Sequence, residues 1–329
     1  VNLSYIVAAI LFIVGIKMLG KADTAKRGNL LSAVGMLLAM IVTLLSKGLS
    51  YPLIIVGLAM GGAVGFVAAK RVQMTGMPEL VALFNGFGGL ASLLVGLAEY
   101  YRAKISNNYL ENVLIEELSS FTATVIVLAI LIGGITFTGS IYAWGKLSGK
   151  LGGRALTFTG QKAFNALLAL GIIAAGILFS SSPTTELAHA VLIIVLILSL
   201  LLGIFAVMPI GGGDMPVVIS LLNSCSGLAA CAAGFVINNN VLVVAGCLVG
   251  ASGLILTVIM CKAMNRTLIN VLVSGFGATN QANGAKSTGE LKPISPEDAY
   301  YILEAAKSVI IIPGYGMAVA QAQHAVKEL

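Results

Sequence analysis

The sequence predicts an all-α polytopic membrane protein, with nine transmembrane helices, a parallel internal repeat and the start of an α/β Rossmann-like domain at its C-terminus. Three observations predict it. First, 58% of the 329 residues are hydrophobic and only 10% are charged, and the apolar residues gather in long runs. Second, two of those runs repeat one pattern. Third, the composition turns polar after Arg266 and the chain closes on a strand–glycine–helix pattern.

The charge is the first constraint. A soluble domain carries about 25% charged residues, so this chain cannot cover a water-facing surface. Its mean hydropathy of +1.00 makes lipid the solvent for most of it. The net charge of +6 does not point to nucleic acid, because the bases sit in short clusters between apolar runs and form no stripe. The four cysteines, Cys225, Cys231, Cys247 and Cys261, lie inside apolar runs without a CxxC pair, so no metal site is expected.

A crossing needs about 20 apolar residues. Nine runs qualify: 3–20, 29–46, 52–69, 79–99, 121–145, 164–181, 188–208, 215–236 and 241–262. In the first run the positive charge follows the apolar stretch, the reverse of a secretory signal, so it reads as a retained span. Sidedness follows from the bases between spans. One set of loops holds Lys17, Lys21, Lys26, Arg27, Lys70, Arg71, Lys146, Lys150, Arg154, Lys162, Lys262 and Arg266; the other holds Lys47, Arg102 and Lys104. That bias puts the N-terminus outside and the C-terminus in the cytoplasm. The stretch "YYRAKISNNYLENVLIEELSS" reads as a long outer loop.

Residues 1–266 thus form the transmembrane domain, and 267–293 a polar, glycine-bearing cytoplasmic linker. In residues 294–329, Ser295 should cap a helix that opens with Pro296, Glu297 and Asp298, and "SVIII" should follow as a strand over 308–312.

The repeat pairs "MPELVALFNGFGGLASLLVG", from Met77, with "MPVVISLLNSCSGLAACAAG", from Met215. The offset of four spans sends both copies across in the same direction. Proline costs no hydrogen bond at a helix start, and the small residues permit close helix packing. Asn85 and Asn223 fall at matching depth. An amide facing lipid is costly, so each should face the bundle or water. Interhelical hydrogen bonding alone would also account for them.

The spans carry no Asp, Glu or His near their centres. Glu79 and Asp214 stand at the mouths of the two repeat helices, Glu99 and His189 at outer ends, and His324 in the tail. A proton route through such a bundle would need waters held by Asn85, Asn223, Ser140, Thr136 and Thr138, or a titrating group lent by a partner.

The glycine turn "PGYG" follows the expected strand and precedes an alanine-rich segment. Gly314 allows the tight turn, Gly316 lets backbone approach a pyrophosphate, and the third position of the usual pattern is Val319. A single βα unit cannot complete a dinucleotide site, so the sequence reads as a membrane domain that ends inside its nucleotide domain.

Taken together, "ITFTGSIYAWGKL", "DMPVVISLLNSCSGLAACAAGF", "IMCKAMNR" and "PGYGMAVAQAQ" resemble the beta subunit of the proton-translocating NAD(P) transhydrogenases, along essentially the whole chain. The resemblance implies a bacterial inner-membrane subunit that works in a dimer of alpha–beta units. NADP(H) would bind the full-length C-terminal domain, and NAD(H) the alpha subunit. Direct hydride transfer from NADH to NADP+ would be driven by inward proton movement. Within this chain the resemblance makes Asn85, Ser140 and Asn223 proton-path residues. It makes Asp214 and Arg266 coupling residues, with Glu79 beside them at a repeat-helix mouth. Gly314, Tyr315, Gly316, Ala318 and Val319 match the nucleotide loop. No residue of this chain is expected to catalyse the hydride step, and residues 1–329 alone are expected to be inactive. Many relatives carry a histidine where this chain has Asn85, so an alpha-subunit helix is expected to supply one. The alternatives are a secondary transporter or channel with a nucleotide-sensing domain, and a purely structural membrane subunit.

Overall fold

The structure is a computed structural model that describes residues 2–45, 51–109, 119–153, 155–181, 183, 186–264, 267–268, 295–312, 314, 317 and 323–328. It divides into two units, Val1–Thr279 and Asn280–Leu329.

The first unit is helical. Among the described residues its α-helices of 18 residues or more are α1 (Asn2–Leu19), α2 (Ala22–Leu44), α3 (Tyr51–Arg71), α4 (Met77–Tyr109), α5 (Ser120–Leu147), α6 (Gln161–Ser181), α7 (Glu186–Val207), α8 (Met215–Val236) and α9 (Asn240–Ala263). Eight of them, α2 to α9, are long and apolar enough to cross a membrane. The first is an apolar helix whose 18 residues rise about 27 Å, just short of a hydrocarbon core of about 30 Å. Composition locates these helices well but not their ends. α2 starts at Ala22, because Asp23, Lys26 and Arg27 extend the helix beyond its apolar part. α4 runs on to Tyr109 through residues expected to be a loop, and an Arg102–Glu99 ion pair of 3.3 Å lies on that extension.

Local chemistry sets several helix ends. Pro216 stands in the first turn of α8, where no N–H is needed. Ser119 caps α5 by accepting from the Thr122 amide, and Asn239 caps α9 by accepting from the Leu242 amide, each at 3.1 Å. Between α8 and α9 the chain turns at Asn238, whose φ of 53° lies in the left-handed region that asparagine tolerates.

α5 lies at the centre of the bundle and packs against α4, α6, α7 and α8. α4 also touches α8, and α8 touches α9. Small residues make these contacts close. A Cβ on Gly89 would stand 2.8 Å from Thr136, and one on Gly96 would stand 3.1 Å from Ile130, so α4 and α5 run antiparallel. Between α8 and α9 the backbones themselves touch. Gly227 meets the amide of Gly250, and a Cβ on Gly246 would come within 2.5 Å of the Cys231 nitrogen. The sulfurs of Cys231 and Cys247 lie 3.3 Å apart at this seam. Hydroxyls stitch it: Ser224 donates to the Gly250 carbonyl at 2.6 Å, and Ser220 to the Gly253 carbonyl at 3.2 Å. Thr257 donates to Ser220 Oγ at 3.1 Å. By contrast α3 buries no residue, and its glycines 57, 61, 62 and 65 have nothing within 4 Å of a Cβ position.

Among its described residues the second unit has two short helices, α10 (Pro296–Ala305) and α11 (Gln323–Glu328). Ser295 caps α10 in a capping box with Asp298, as the sequence predicts. The expected strand over 308–312 is not formed. Those residues have no regular structure, and Ile310 and Ile312 are 85% and 88% exposed. A strand needs a partner ladder, and none exists among the described residues.

The α8–α9 seam is open to test. Gly246→Ala should force the two helices apart and lower stability by about 1–3 kcal/mol, read as a lower thermal midpoint of the detergent-solubilised protein. Gly61→Ala, in open space, should leave the midpoint unchanged.

Candidate functional site

Three of the predicted polar residues, Asn85, Ser140 and Thr136, lie together between α4 and α5, beside α8. The glycines of α4 position them: with no side chains at Gly86 and Gly89, α5 approaches closely enough to bring Ser140 and Thr136 against the α4 backbone. Asn85 Nδ2 donates to Ser140 Oγ at 2.9 Å. Ser140 is 1% exposed, whereas Asn85 is half-buried. Thr136, one turn away and fully buried, donates to the Ile132 carbonyl at 2.7 Å. Its hydroxyl oxygen keeps a lone pair.

α8 contributes Asn223, which is half-buried. Three residues beyond Asn85 lies Gly88, and three beyond Asn223 lies Ser226. A Cβ on Gly88 would stand 3.2 Å from Ser226 Oγ. Repeat-equivalent positions therefore touch, and the two asparagines sit at the same height on neighbouring helices.

Thr138 belongs elsewhere. Its hydroxyl donates to the Leu200 carbonyl at 2.7 Å and faces Gly203, so it serves the α5–α7 contact rather than the asparagine stripe. The step of two residues from Thr136 to Thr138 turns it about 200° around the helix. Glu79 lies in the first turn of α4 and Asp214 at the N-cap of α8; both are half-buried. Arg266 lies outside the described residues. His189 packs its ring against Tyr101, with centroids 5.6 Å apart, at the far end of the bundle from these acids.

Of the glycine loop, Gly314 is described, and its carbonyl accepts from the Met317 amide at 3.1 Å, closing a turn. Tyr315, Gly316, Ala318 and Val319 lie outside the described residues.

One residue was missed by reading the sequence. Lys146 counts there as a loop base, yet it is 3% exposed, and it is the one buried charged side chain among the described residues. Its Nζ donates to the carbonyls of Met208 and Ile210, both at 2.6 Å, and lies 5.3 Å from the centroid of the Tyr142 ring. The last carbonyls of a helix have no partner in the helix itself and carry its negative end. In the last turn of α7 the Phe205 carbonyl accepts from Gln161 and Asn165 at 3.0 and 3.2 Å, and Lys146 bonds to Met208 and Ile210, one and three residues past the helix end. Backbone bonds from Leu156 to Met208 and from Gly212 to Gly153 complete the knot. Lys146 thereby fastens the connection that leads into Asp214 and α8 to the helix that carries Ser140. A lysine immediately at the end of an apolar run was the available signal.

The match of the NAD(P) transhydrogenase beta subunit family to residues 1–329, the whole chain, decides the family. The chain belongs to it. It is also similar to the NAD(P) transhydrogenase subunit beta of Rhodospirillum rubrum, 42% identical over 334 aligned residues that cover 99% of this chain and 69% of that protein. A named strain of the same species gives the same figures. The helix pair bearing Asn85 and Asn223, and the Lys146 knot at its mouth, are therefore features of a transhydrogenase beta-subunit chain.

Lys146→Met should free the α7–α8 connection by leaving the Ile210 carbonyl buried without a donor, at about 1–3 kcal/mol. Hydrogen exchange at the amides of Gly212 and Asp214 should then rise about ten-fold or more. Unchanged exchange would show that the backbone bonds alone hold the loop.

Proposed function

We propose that this chain works with an alpha subunit as a proton-translocating NAD(P)+ transhydrogenase, in which inward proton movement drives hydride transfer from NADH to NADP+ and forms NADPH. Family membership along the whole chain supports the reaction. The single observation that supports the coupling is the Asn85–Ser140 bond in the α4–α5–α8 seam, with Asn223 at the same height.

In this reading the helices α1 to α9 cross the bacterial inner membrane, with the N-terminus outside and the C-terminus in the cytoplasm. Asn85, Ser140, Thr136 and Asn223 hold a file of waters through the bundle. An amide cannot titrate near neutrality, so it orders the water and passes hydrogen bonds, and an ionisable group from an alpha-subunit helix takes up the proton. Glu79, Asp214 and Arg266 carry the change in proton occupancy toward the nucleotide domain. That domain begins in residues 294–329 as a Rossmann-like unit, and residues 314–319 form its phosphate loop. NADP(H) binds there when the domain is complete, and NAD(H) binds the alpha subunit. The nicotinamides carry the hydride chemistry; the protein positions them and gates the exchange. The active assembly is a dimer of alpha–beta units.

Inverted membrane vesicles containing both subunits test this. NADPH formation from NADH should accelerate under an imposed proton gradient and lose that acceleration with an uncoupler. Asn223→Leu should cut the gradient-driven rate at least about ten-fold, the effect of removing one relay group worth ~1.4 kcal/mol. Solute uptake without hydride transfer would favour a transporter. An unaltered driven rate in the variant would reduce Asn223 to a packing residue.

A further inference from the structure

A cleft of about 370 Å³ opens on the outside of the bundle between α5 and α7, within the size range of small-molecule pockets. Its floor is dry: Phe137, Ile141, Leu151 and Ile204 supply apolar wall, and the Thr138 hydroxyl beneath is already bonded to the Leu200 carbonyl. Its rim is different. Trp144 and Tyr142 line it, and Lys150 places its ammonium 4.4 Å from the centroid of the Trp144 ring. None of these three polar tips has a hydrogen-bond acceptor among the described residues. The rim lies at the end of α5, where an amphipathic aromatic ring and a lysine meet the headgroup layer of a bilayer.

An apolar slot under a cationic, donor-rich rim excludes most ligands. A nucleotide or a sugar would waste the floor. A partner helix would fill the slot but strip the Lys150 ammonium of water with no acid among the described residues to pair with it. A phospholipid satisfies both halves, with an acyl chain along the slot and a phosphate at the rim. The sign of the rim selects an anionic one. We propose that this cleft is a binding site for an anionic phospholipid, its phosphate held by Lys150 and the Trp144 indole N–H. The site stands apart from the Asn85–Ser140 seam and does not depend on the proton route.

Trp144 is the sole tryptophan of the chain, which makes it the reporter. The alpha–beta complex is placed in phosphatidylcholine nanodiscs that contain a minor fraction of lipid with brominated acyl chains, either phosphatidylglycerol or phosphatidylcholine. Fluorescence of the Trp144→Phe complex is subtracted to isolate the signal. Brominated phosphatidylglycerol should quench Trp144 about five-fold more effectively at equal mole fraction, the preference that one basic residue gives at an anionic headgroup. Lys150→Gln should abolish that preference and keep the basal quenching. Equal quenching by both lipids would overturn the proposal, because the slot would then be ordinary annular surface. Absence of quenching would overturn it too, since a protein partner would then cover the slot. Should the Trp144→Phe complex fail to assemble, lipid retained through detergent purification decides by native mass spectrometry. The unmodified complex should keep phosphatidylglycerol that the Lys150→Gln complex loses, and equal retention would sink the idea.

Discussion

In hydrocarbon a polar side chain has no water to fall back on, and that constraint organises this protein. Every amide, hydroxyl or ammonium inside the bundle must find a partner in protein or in water admitted to the interior. Most find protein. Ser224 and Thr257 bond to backbone carbonyls laid open by glycines of α9. Gln161 and Asn165 bond to the Phe205 carbonyl in the last turn of α7, and Lys146 to the Met208 and Ile210 carbonyls just beyond it. Two further amides stand on α4 and α8. Asn85 makes its bond to Ser140 and remains half-buried, and Asn223 is half-buried at the same height. The proposed wet seam would give both amides a use.

Close packing is what lets the seam exist. Helices attract one another weakly in lipid, so bundles rely on small residues that bring backbones together. α5 meets α4 across Gly86 and Gly89, and α8 meets α9 across Gly227, Gly246, Gly250 and Gly253. These pairs form rigid walls. The asparagines stand on the two helices, α4 and α8, that share one wall with each other through Gly88 and Ser226. Glu79 and Asp214 sit in the corresponding first turns, and the Lys146 knot fixes the approach to the second of them.

Much of this was legible in the residues. Hydropathy placed the helices, because burial in lipid leaves a long, unbroken apolar signature. The repeated Met-Pro, Asn and Gly spacing placed Asn85 and Asn223 at one height, and the structure shows the touching positions that this requires. The family was legible in four short motifs. What escaped has physical reasons. Helix ends such as Tyr109 and Ala22 run past the apolar boundary because a helix, once begun, propagates through polar residues at little cost. Thr138 was grouped with Thr136 and Ser140 by proximity in sequence, whereas rotation about the helix axis turns it to α7. Lys146 was counted as a surface base because composition records charge and not direction, and only the fold reveals that its stem bends inward to the α7 carbonyls. The strand over 308–312 was read from its run of isoleucines, but β-propensity expresses packing against neighbouring strands, and the described residues supply none.

The central claim is that the seam between α4, α5 and α8 admits water at the depth of the two asparagines. Cysteine accessibility tests it most directly. In an alpha–beta complex otherwise free of cysteine, a small, water-soluble thiol reagent should modify Asn223→Cys at a rate well above that of Leu254→Cys, a lipid-facing position on α9 that is 46% exposed. A thiol at 223 as inert as the one at 254 would mean that the seam is dry, and the account of coupling built on it would fail.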